Sequence, residues 1–122
     1  MPITFTIEHG VVFTTARGIL SYAKVLDHIT AKENADIVTF PELFDSRDVT
    51  LDLSTAELKA IVLEVSRALA GKAPGKIAVV TNSAFLFGLP RSYAELSDDV
   101  NPEFEVFYEY EDARVWLLRR SA

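Results

Sequence analysis

Cysteine is absent from the 122 residues. That removes a disulfide framework, thiolate metal ligands and a cysteine nucleophile together, and it suits a reducing, cytoplasmic setting. Glycine is sparse, at five residues. None of them forms G-x-G-x-x-G, a Walker loop or a G-x-S-x-G elbow, so the local signatures of nucleotide binding and of a serine hydrolase are missing. Basic residues are outnumbered, 12 against 18 acidic, for a net charge of −6. Phosphate neutralisation needs clustered Lys and Arg, so nucleic acid and anionic lipid are not expected partners. No apolar run approaches the roughly 20 residues of a membrane span. The opening Met1-Pro2-Ile3-Thr4-Phe5 lacks the basic and apolar regions of a signal peptide.

What is present fits a single globular domain over residues 1–122. Apolar residues make up 49% and charged residues 25%, both ordinary for a folded domain. A chain of this size buries roughly 65–70% of its unfolded surface, enough for a core without staples.

Ile3, Phe5 and Ile7 alternate with polar residues, as in a half-buried strand. Glu8-His9-Gly10 turns the chain into a second strand, Val11 to Ala16, and Gly18 ends this hairpin. A helix is expected from about Leu20 to Asn34, with Tyr22, Val25, Leu26 and Ile29 inward and Lys24, Asp27, His28 and Lys32 outside that stripe. Pro41 confines the next strand to Glu42–Asp45.

Ser54 with Glu57 makes a capping box before Leu58, Ile61, Val62, Val65 and Leu69, and Gly71 is the stop. The unbroken apolar run Ile77-Ala78-Val79-Val80 marks a strand over Lys76 to Thr81 that is covered on both faces. A helix capped by Asn82 or Ser83 carries Phe85, Leu86, Leu89, Tyr93 and Leu96, with Pro90 as a kink. Phe104 to Tyr108 is a last strand, and Asp112 to Arg120 a last helix with Ala113, Trp116 and Leu117 inward. The order ββαβαβαβα implies an α/β fold: a mixed, mostly parallel sheet with an N-terminal hairpin and helices packed on it.

Few residues carry chemistry in this pattern. Both histidines, His9 in a turn and His28 outside the helical stripe, are expected at the surface, without a second metal ligand at helical spacing. Asp99-Val100-Asn101-Pro102-Glu103 imitates the start of a calcium loop, but Phe104 stands where glycine is needed and Tyr110 where the bidentate glutamate belongs. Glu103, Glu105, Glu109, Glu111 and Asp112 read as a solvated acidic face. No nucleophile–base pair is visible, so catalysis is not expected, and neither is a cofactor. Leu63, among Lys59, Ala60 and Arg67, and Phe87, opposite Phe85 and Leu89, project away from their apolar stripes and are candidates for a partner surface.

The stretch Glu42-Leu43-Phe44-Asp45-Ser46-Arg47-Asp48-Val49-Thr50, with Leu53 to Leu58 after it, resembles the third strand, loop and second helix of bacterial SpoIIAA-like (STAS-type) domains. Ala84 to Leu96 is similar to that family's aromatic-rich helix, and Phe107 with Glu111 to Leu117 to its ending. The resemblance implies a STAS-type sandwich in a regulatory or protein-interaction role, with a protein partner or self-association. It also brings Ser54 onto the serine that is phosphorylated in anti-sigma-factor antagonists, and Thr55 onto its neighbour, as a candidate phospho-switch. Leu53 and Ala56 replace the Asp and Gly that flank that pair in the antagonists. SpoIIAA-like domains are similar in turn to CRAL-TRIO lipid carriers. That implies, as an alternative, a carrier or sensor of an apolar small molecule, with Phe85, Phe87, Leu89 and Tyr93 lining its pocket.

Overall fold

A computed structural model describes residues 3–82 and 103–119. Among the described residues, five strands form one sheet in the order β1-β2-β3-β4-β5. They are β1 (Ile3–Glu8), β2 (Val11–Ser21), β3 (Glu42–Asp52), β4 (Ile77–Val80) and β5 (Phe104–Phe107). The first pair is antiparallel across the His9–Gly10 turn, from Ile3 opposite Ala16 to Glu8 opposite Val11. All other pairings are parallel. The described helices are α1 (Tyr22–Asn34), α2 (Thr55–Leu69) and α3 (Tyr110–Leu118). This is the mixed α/β sheet expected from the pattern. The expected helix over Ala84 to Leu96 lies outside the described residues. Among the described residues, no helix is long and apolar enough to cross a membrane.

Side chains alternate across a strand, so each strand feeds two cores. On one face Val11, Leu43, Ala78 and Val80 meet Ala113 and Leu117 of α3, flanked by Phe13, Phe107, Tyr110 and Trp116. On the other face, Ala16, Leu20 and Val49 form one cluster. Ile29 of α1 packs there with Leu58 and Ile61 of α2. The continuous apolar run of β4 follows from this double coverage: Ala78 and Val80 serve the first core, while Ile77 and Val79 face the second.

Two strands are longer than their sequence suggests. β2 continues beyond Ala16 to Ser21, and β3 beyond Asp45 to Asp52. A register shift between Thr15 and Arg17 lets them pair onward, from Arg17 opposite Asp48 to Ser21 opposite Asp52. Gly18 stays inside the strand at φ +74°, a conformation open to glycine. The polar stretch around Asp45–Asp48 reads locally as a loop, but parallel pairing and the Ala16/Leu20/Val49 cluster hold it extended. Arg47 braces the register shift, donating to Asp45 through Nε (2.9 Å), Nη2 (2.7 Å) and its backbone N–H (3.1 Å). Its guanidinium lies 5.2 Å from the centre of the Tyr110 ring.

α2 begins with the expected capping box. Ser54 Oγ accepts from the Glu57 N–H at 3.1 Å, and Glu57 Oε1 accepts from the Ser54 N–H at 2.9 Å. Arg67 of α2 donates to Glu33 of α1 at 2.8 Å, tying the two helices together at the surface.

Gly75, just before β4, lies against the backbone of Thr39 and Phe40. A Cβ there would sit 2.6 Å from the Phe40 carbonyl carbon and the Thr39 oxygen. Gly75→Ala therefore pushes β4 and β3 apart at their entry. We expect a loss of about 2 kcal/mol or more in urea denaturation, in the range of overpacking substitutions. A change within about 0.5 kcal/mol would show that the approach relaxes freely.

Candidate functional site

Glu42 opens β3, and its side chain turns to the face covered by α1. Its backbone N–H donates to Lys76 O at 2.9 Å, while its side chain is withdrawn from water, the residue being only 2% exposed. Across the parallel register Glu42 is opposite Val12, and Thr14 lies two residues further along β2 on the same face.

Among the described residues, three donors reach this carboxylate. Thr14 Oγ1 donates to Oε2 at 2.6 Å, Lys32 Nζ donates to Oε1 at 2.5 Å, and His28 Nε2 lies 2.7 Å from Oε2. An ionised carboxylate accepts only, so the His28–Glu42 bond places the imidazole proton on Nε2. Phe5 and Phe44 hold the imidazole edge-on, at centroid distances of 5.8 and 5.7 Å.

Burial on its own would raise the Glu42 pKa. The Lys32 charge, the His28 hydrogen bond and charge, and the Lys32 hydrogen bond outweigh it, and the group is held well below the usual carboxylate range. The cluster is therefore a buried Lys32–Glu42 ion pair with two further partners on the same carboxylate, Thr14 and His28.

This placement corrects the surface position expected for His28 and the solvent-facing one expected for Lys32. Both are buried, together with Ile29. Val25, His28, Ile29 and Lys32 stand at i, i+3, i+4 and i+7, so they form a helical stripe of their own, turned to the sheet. An apolar stripe does not reveal it, because two of its four members carry polar atoms that find their partner on β3. The signal in the sequence was positional: a histidine and a lysine on the inward spacing of α1, and an acid at the start of a strand.

The cluster forms part of the wall of a cavity of about 150 Å³ between the sheet and helices α1 and α2. Its lining is mainly apolar, including Leu20, Val25, Ile29, Phe44, Ile61 and Val79, with Ser46, His28, Lys32 and Glu42 as polar members. Ser46 Oγ donates to Val80 O at 2.7 Å. The cluster itself contains one carboxylate, one imidazole and one ammonium, which is an ion-pair network and not a set of metal ligands.

The other candidates lie elsewhere. Ser54 and Thr55 are exposed at the start of α2, and Leu63 is 73% exposed on its outer face. None of the three lines the cavity. Phe87 and Tyr93 fall outside the described residues. His9 is exposed in the hairpin turn. Of the acidic face, Glu111 pairs with Arg114 at 2.6 Å.

Removing one member of a buried ion pair leaves the other uncompensated. Lys32→Met is expected to cost about 3–5 kcal/mol, whereas the double variant Lys32→Met/Glu42→Gln recovers most of that loss. In the folded state Glu42 binds its proton more weakly than in the unfolded chain, whose reference value is 4.5. Its stabilisation is thus complete above that value and lost as pH falls toward the folded pKa. Urea denaturation between about pH 6 and pH 3 should show the wild type losing more stability than the double variant. Parallel pH profiles would contradict the ionised assignment.

Neither protein-family models nor curated proteins give a match to this sequence. Among solved structures, the chain is similar to an uncharacterized protein of the DUF3478 family from Shewanella loihica PV-4, which has a SpoIIAA-like fold. The match covers 95% of this chain and 94% of the other, at 21% identity and a TM-score of 0.64. The mixed sheet and helix order described above, with this likeness over nearly its whole length, give the chain the SpoIIAA-like fold.

Proposed function

We propose that this protein is a non-enzymatic regulatory domain whose input is a small, mainly apolar molecule held between the sheet and helices α1 and α2. One observation carries the reading: an apolar cavity of about 150 Å³ with a buried ion pair in its wall. A core serving stability alone gains nothing from that pair, because well-packed apolar residues of similar volume are generally as stable or more so. Strongly perturbed ionisable groups in concave sites are a general mark of function.

The hydrogen bonding supports binding in preference to catalysis. Thr14 donates to Glu42, and Ser46 donates to a backbone carbonyl. Among the described residues, no hydroxyl is bonded to His28 in the manner of a catalytic triad. The SpoIIAA-like fold also favours a regulatory or interaction role.

The test uses toluene as a probe with the intact chain. Saturating toluene should raise the Tm of the wild type by a few degrees, by mass action on the folded state. Val65→Phe, which fills the cavity from α2, should abolish the shift. An unchanged Tm in the wild type, or an equal shift in both proteins, would remove the ligand reading.

A second reading, a protein partner or a second copy docking on α2, is favoured by the 73% exposure of Leu63. Ser54, exposed at the N-terminus of the same helix, would set a phosphate against free backbone N–H groups and the positive end of the helix dipole. Under this reading Leu63→Glu lowers the self-associated fraction in light scattering. Ser54→Asp, which still caps the helix, weakens partner binding while leaving the Tm within about 2 °C. A wild type that is monomeric throughout and unaffected partner binding would defeat it.

A further inference from the structure

We infer that the cavity selects an uncharged, mostly apolar molecule, of benzene's size or larger, that bears a hydroxyl or carbonyl oxygen received by Lys32. The inference rests on the ligand-binding reading above and adds the chemistry of the ligand.

Size comes first. The apolar cavity, about 150 Å³ and open on one side, has room for a molecule of at least benzene's size. Charge comes next. The Lys32 ammonium and the Glu42 carboxylate meet at 2.5 Å and cancel. A ligand anion would therefore bring an unbalanced charge into apolar surroundings, and a ligand cation would face the ammonium.

Hydrogen bonding then decides the polar atom. Thr14 and His28 Nε2 spend their protons on Glu42, and Ser46 spends its proton on Val80 O. An ammonium has three N–H donors. Lys32 directs one at Glu42, and among the described residues nothing else accepts from it. Among the described residues, the remaining N–H groups of Lys32 are thus the site's donors, and their complement is an acceptor oxygen. A hydrocarbon of the same shape fills the volume but leaves those donors unanswered.

Calorimetric titration at neutral pH with benzene, phenol and benzoate tests this on the wild-type chain. Phenol should bind about tenfold or more tightly than benzene, the scale of a hydrogen bond to a charged donor, and benzoate should bind weakest. In Lys32→Met/Glu42→Gln, which removes both charges together, the advantage of phenol over benzene should fall to about threefold or less, with benzene still bound. Equal binding of benzene and phenol by the wild type, or a preference for benzoate, would overturn the inference while leaving the ligand reading intact. Failure of benzene and phenol alike would overturn both.

Discussion

A single carboxylate, Glu42, joins the parts of this protein that sequence places far apart. It sits on β3, yet its three donors come from β2 and from two turns of α1. Taking a charge out of water costs several kcal/mol even after relaxation, and only close, well-directed partners offset it. Glu42 has all three within 2.7 Å. Once this group is buried, α1 cannot rotate or slide without leaving a charge unpaired. The network therefore fixes helix orientation more sharply than the contacts of Ile29 alone, which apolar neighbours could accept in several poses.

That constraint organises the two faces of the sheet differently. The α3 face is closed by apolar packing, in which Ala113 and Leu117 sit on Leu43, Ala78 and Val80. The opposite face combines apolar clusters with the polar network and keeps a cavity between them. Under the proposed ligand reading, this division makes one side a packed base and the other the side that receives the small molecule. A molecule seated beside Lys32 would touch α1 and α2 at once, and α2 carries the exposed Leu63 and the Ser54 cap. Binding inside could thereby be read from outside as a change in the position of α2. This links the two functional readings through one helix.

The fold was largely legible in the residues. Alternation in Ile3–Ile7, the capping box at Ser54 and the unbroken Ile77–Val80 run each reported a physical requirement of the element that contains it. The extent of β2 and β3 was not legible. Arg17-Gly18 and Asp45–Asp48 have loop chemistry, and only long-range pairing makes them strand. The candidate site was hidden for a related reason. Polarity alone points His28 and Lys32 to solvent, whereas their spacing with Val25 and Ile29 puts them on the buried face. Their partner stands on another element, and a pairing between α1 and β3 leaves no local mark. Leu63 was different. Its exposure followed from helical geometry alone, which needs no distant residue.

The ionisation of Glu42 underlies the orientation of α1, the balance of the Lys32 charge and the availability of the Lys32 donors. Carbon-13 NMR of its side-chain carboxyl, followed from pH 7 into acid for as long as the protein stays folded, reports that state directly. A shift that stays at the ionised value throughout that range is the expected result. Titration at or above the ordinary carboxylate value of 4.5 would contradict the account.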